Sequence, residues 1–112
     1  MTNRIHLALV MVLFVVAGCT TSTSSNREIS SYPEARAYAD CVISRTRSFS
    51  SQAGSPVDIG YAAVASCRPQ RNAMERALRA DNSPVFVEEF MLRNDRTMLE
   101  LATEAVARSR QK

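Results

Sequence analysis

Histidine is almost missing from this 112-residue chain, and the single one, His6, sits inside an apolar run at the amino end. The rest of the sequence therefore offers no Ser–His or Cys–His pair for nucleophilic catalysis and no histidine-bearing metal site. Glycine is equally scarce: Gly18, Gly54 and Gly60 are the only three, too scattered for a phosphate-cradling loop. Tryptophan is absent, and no stretch alternates apolar and polar residues over a length useful for a strand. No CxxC occurs, which removes the usual dithiol redox motif. The pairs Glu88–Glu89 and Glu100–Glu104 fall at helix-surface spacing and read as solvated charges rather than as a general acid and base. The expectation is a non-enzymatic protein with no catalytic residue, metal or cofactor.

What is present begins with the amino end. Met1 to Arg4 is a short polar start, and Ile5 to Ala17 is apolar apart from His6. The unbroken run Leu7–Ala17 is 11 residues long. A spanning helix needs about 18 or more, so this run reads as a signal-peptide core. It ends at Val16-Ala17-Gly18-Cys19, a branched residue and two small ones ahead of a cysteine.

That ending resembles the lipobox of bacterial lipoproteins. The resemblance implies a diacylglyceryl group on the sulfur of Cys19, cleavage of the signal peptide 1–18, and acylation of the new amino terminus by chains such as palmitate. Two or three chains anchor stably, where a single chain binds reversibly. Thr20 stands where aspartate would favour inner-membrane retention, so by the same resemblance the protein belongs on the periplasmic face of the outer membrane. Losing Arg4 with the leader takes Lys plus Arg from 14 to 13 against 11 Asp plus Glu, a net charge near +2. That is too small to point to nucleic acid.

Residues 19–31 form a lipidated, Ser/Thr-rich tether almost devoid of apolar side chains. The helical domain is expected over 32–112. Three helix starts divide it: Ser31-Tyr32-Pro33-Glu34, with the spacing of a capping box; Ser55-Pro56-Val57-Asp58; and Asp81-Asn82-Ser83-Pro84. In the first segment Ala35, Tyr38, Ala39, Val42, Thr46 and Phe49 share a stripe. In the second, Ile59, Ala63, Ser66, Ala73, Met74 and Ala77 do so. Pro69 predicts a kink, or a break into 56–67 and 69–80. The third segment, about 84–109, carries Val87, Met91, Asn94, Met98, Leu101 and Ala105 on one line and Val85, Leu92, Leu99 and Val106 on another. The fold expected is all-α: a small three-helix bundle made of a disulfide-stapled hairpin and a long C-terminal helix.

With Cys19 assigned to lipid, Cys41 and Cys67 remain. A disulfide between them suits an exported protein, and a reactive or metal-binding thiol pair is the competing reading. Closing this loop stabilises by about 3.5 kcal/mol on the chain-entropy model. The line Val85, Leu92, Leu99 and Val106 is the candidate docking surface for an envelope protein or a second copy. Arg68, Arg71, Arg76 and Arg79 form a candidate anion-binding face, with Glu75 among them. Asn94 is expected to be a satisfied polar residue that sets helix register. The function expected is a membrane-tethered interaction or structural module of the cell envelope; the alternative is a lipid- or small-ligand-binding module using the basic face.

Overall fold

The computed structural model describes residues 28–112. The expected signal peptide, the lipobox-like Val16–Cys19 and the expected tether through residue 27 lie outside the described residues.

Among the described residues every regular element is a helix. A 3-10 turn, Ile29–Ser31, precedes α1 (Pro33–Phe49), α2 (Pro56–Ser66), α3 (Arg68–Asp81) and α4 (Pro84–Ser109). The turn shortens the expected tether. Ile29, its one large apolar side chain in this stretch, packs against the core, which offsets the entropy of ordering the turn.

Local chemistry explains where the helices begin. Ser55 caps α2, accepting from the Asp58 backbone N–H at 3.2 Å and donating to the Asp58 carboxylate at 2.7 Å. Ser83 caps α4, accepting from the Phe86 N–H at 3.3 Å. Pro33, Pro56 and Pro84 each occupy the first helical position, where a missing N–H costs nothing. The capping box expected at Ser31 is not formed. Tyr32 takes the N-cap position without a side-chain cap, because the Ser31 hydroxyl donates to the Glu28 carbonyl at 2.7 Å inside the 3-10 turn. Tyr32 is instead buried, and its hydroxyl donates to Asp81 at 3.0 Å.

The middle segment breaks, which makes four helices where three segments were expected. Cys67 leaves the helical region at φ −102°, ψ 18° and both ends α2 and begins α3. Pro69 is the cause: it has no N–H to give, and its ring would strike the preceding turn. Restarting the helix at Arg68 places that proline harmlessly in a first turn. At the break Cys67 is joined to Cys41 by a disulfide, with Cα atoms 5.9 Å apart.

Contacts between helices set the topology. Tyr32 meets Asp81 and Cys41 meets Cys67, so α1 runs antiparallel to α2 and α3 in succession. Arg71 meets Asp95 and Gly60 meets Thr103, so α4 runs antiparallel to them as well. Hence α1 and α4 are parallel neighbours, with α2 and α3 together forming the third rod. The core between them holds Tyr38, Val42, Cys67, Met74, Leu78, Val87, Met91 and Ala102.

Glycine is required at two places. Gly54 has φ +132° in the α1–α2 loop, a conformation other residues avoid. The Arg110 side chain clasps this loop, donating to the carbonyls of Gly54 at 2.6 Å and Gln52 at 2.7 Å. At Gly60 a Cβ would stand 2.6 Å from Thr103 Oγ1 and 3.1 Å from the Thr103 backbone nitrogen. Backbone cannot give way as a side chain does, so α2 and α4 would have to separate. Gly60→Ala is expected to destabilise the bundle by about 1–3 kcal/mol, despite the better helix propensity of alanine. Urea denaturation checks this; an unchanged midpoint would show that the contact is slack.

Candidate functional site

Three surfaces compete for a functional role, and α4 takes part in each. Its two apolar lines fall on opposite flanks. The flank carrying Met98, Leu101 and Ala105 turns toward α1; the one carrying Leu99 and Val106 turns toward the α2–α3 rod. The deeply buried positions are Val87, Met91, Ala102 and Val106. They include steps of four residues, and each such step moves about 40° around a helix of 3.6 residues per turn. The buried face therefore migrates from one line to the other along α4, which a strict heptad reading does not anticipate.

This corrects the expected docking surface. Val106 is fully buried and Leu99 is half-buried, because the carboxyl-terminal half of α4 lies on α2. Val85 and Leu92 remain open, at 67% and 73% exposure, since they sit beside the shorter contact with α3. Phe86 is exposed next to them and stacks on Phe90 with ring centroids 6.2 Å apart.

The basic face is corrected too. Arg71 is half-buried and forks onto Asp95, with Nε 2.8 Å from Oδ1, while its Nη1 donates to Glu75 at 3.1 Å. These bonds raise its pKa, the hydrogen bond to Asp95 foremost and the charges of Asp95 and Glu75 besides, against the opposing effect of burial. Glu75 also accepts from Arg79 at 2.8 Å. Its carboxyl is lowered chiefly by that hydrogen bond, with the Arg79 and Arg71 charges adding. Two of the four arginines are thus paired with carboxylates: Arg71 fastens α3 to α4 through Asp95, and Arg79 makes an exposed pair with Glu75 within α3. Of the four, Arg68 and Arg76 have no ion-pair partner among the described residues. Arg68 borders a cleft of about 400 Å³ shared with Tyr61, Asn72 and Asp95, where the carboxylate already neutralises Arg71.

Polar groups inside the bundle follow no single rule. Tyr38 is wholly buried, and its hydroxyl has no hydrogen-bond partner among the described residues. Burial raises its pKa and the nearby Asp95 charge adds, with Arg71 opposing. The Asn94 amide nitrogen is likewise buried without a partner. The expected hydrogen-bonded register role of Asn94 is thus not seen at its amide nitrogen among the described residues.

A third surface was not singled out from the sequence. Between α1 and α4 runs an apolar slot of about 320 Å³, walled by Val42, Ile43 and Thr46 on one side and Met98, Leu101 and Ala105 on the other. Ile43 and Leu101 form its lips at 50% and 52% exposure. The helical stripes place Val42, Thr46, Met98, Leu101 and Ala105 facing inward; Val42 and Thr46 are buried and Met98 is half-buried, whereas Leu101 and Ala105 stay exposed along the slot. That α1 and α4 stand far enough apart to leave the space open depends on packing and has no sequence signal.

Among the described residues no group of three or more His, Cys, Asp or Glu side chains could hold a metal, and no helix is long and apolar enough to cross a membrane. Comparison with protein-family models, with curated proteins and with solved structures finds no match for this chain.

Proposed function

We propose that this chain is a lipid-anchored protein of the bacterial envelope, held at the periplasmic face of the outer membrane through Cys19. In this reading its helical bundle is a non-catalytic interaction module. One observation carries the choice of an interaction role: Val85 and Leu92 stand 67% and 73% exposed on α4, with Phe86 beside them. Single exposed apolar residues are ordinary, but a cluster of three at one end of a helix favours a partner. The same surface includes Glu88 and Glu89, which makes a protein partner a better match than an anionic lipid surface. The alternative, lipid binding through the basic face, loses support because Arg71 and Arg79 are already paired.

A photo-crosslinking side chain at Leu92 in the intact protein, expressed in cells, is expected to give one discrete adduct. The same label at Val106, inside the core, is expected to give none. No adduct at Leu92, or adducts alike at both positions, would remove the interaction reading.

A further inference from the structure

We infer that the slot between α1 and α4 is a binding site for a single-chain amphiphile with an anionic head, a fatty acid being the simplest. Apart from Arg47 its lining is apolar, because the Thr46 hydroxyl is itself inaccessible and has no hydrogen-bond partner among the described residues. The slot therefore presents hydrocarbon to its contents and rewards a tail.

The head group follows from the charges. Arg47 lines the slot in the last turn of α1 and has no ion-pair partner among the described residues. No carboxylate lines the slot, and Glu104, next to Ala105 in sequence, is paired with Arg108 at 3.0 Å. Arg110 lies at the same end, where it binds the α1–α2 loop carbonyls. Asp40 shares that face of α1 but lies seven residues earlier, about 10 Å along the helix, in a separate cleft with Ser31, Pro33 and Arg36. An amphiphile is thus oriented, with its anion at Arg47 and its tail running toward Ala39 and Met98.

Size favours a small ligand over a docked protein helix. The volume, about 320 Å³, lies at the lower end of ligand pockets, which run about 300–1,000 Å³. Nine residues line it, whereas a stable protein interface uses roughly 20–30 a side. The slot and the Val85–Leu92 patch lie on different flanks of α4, so this inference stands apart from the interaction reading.

The test is photolabelling of the full-chain protein in its membrane with a diazirine-bearing decanoate, followed by mapping of the adducts. Labelling is expected on the segments 39–47 and 98–105, displaced by unlabelled decanoate. Arg47→Gln is expected to lower it about two- to fivefold, the range of a solvent-facing ion pair, without lowering the labelling by a chain of equal length ending in trimethylammonium. Ala105→Phe fills the slot from a solvent-facing position and is expected to abolish labelling by both probes without lowering the melting temperature. Decyl phosphate is the second competitor: displacement stronger than that by decanoate identifies a lysolipid-type head, and weaker displacement a fatty acid, both within the inferred class. Adducts scattered over the surface, equal labelling by the two head groups in the parent protein, or labelling that survives Ala105→Phe would each overturn the inference.

Discussion

Replacement of Cys19 by serine is expected to abolish incorporation of labelled palmitate and to leave the leader 1–18 attached. The thioether bond to diacylglycerol needs a thiolate as nucleophile, and a serine hydroxyl is not one at neutral pH. The effect on labelling is all-or-none because without the thiol there is no atom to carry the diacylglyceryl group. Palmitate labelling followed by intact-mass measurement checks both parts. A parent protein that takes no label, or a Cys19→Ser protein that is still labelled and trimmed, would end the lipoprotein reading. Neither result would bear on the helical bundle, which stands on its own residues.

Loss of the Cys41–Cys67 bridge is expected to have the largest effect on the fold itself. The bridge joins the middle of α1 to the break between α2 and α3, the point at which the third rod loses helical hydrogen bonds. Closing the loop of 26 residues stabilises by about 3.5 kcal/mol. A domain of this size has little to spare, since a small core rarely supplies more than about 3–5 kcal/mol. At roughly 4–8 °C per kcal/mol for such a domain, the Cys41→Ala/Cys67→Ala variant is expected to melt roughly 15–30 °C lower than the parent. Scanning calorimetry of the two proteins measures this directly. A shift of only a few degrees would mean that the Pro69 break and its packing hold without the staple.

The all-α class and the helix starts at Ser55 and Ser83 were legible in the sequence because they rest on contacts within four residues. A hydroxyl ahead of a proline caps the same way wherever the helix finally packs. The break near Pro69 was legible for the same reason, as was the disulfide, once two cysteines remained in a chain read as exported. Ser31 shows the limit of that reasoning. The capping-box spacing is present, yet a non-local demand, burial of Tyr32 against the α3–α4 corner, settled the helix start differently.

The candidate sites were less legible, and the reason is geometric. Val85, Leu92, Leu99 and Val106 repeat every seven residues and look equivalent in one dimension. In the bundle α4 is covered by α2 at one end and less by α3 at the other, which buries Val106 and leaves Leu92 open. The four arginines look alike in the same way until α4 brings Asp95 to Arg71. A row of like charges acquires its role from the carboxylates a second helix sets opposite it.

What the sequence by itself determined is therefore the chemistry that depends on nearest neighbours: the scarcity of histidine and glycine, the lipobox resemblance at Cys19, the helix starts and the proline break. Only the tertiary structure decided which apolar residues are core and which are surface, which arginines are already paired, and that α1 and α4 leave a slot between them. Those outcomes depend on how far apart and at what rotation helices sit. That is settled by close contacts such as Gly60 on Thr103, between residues distant in the chain.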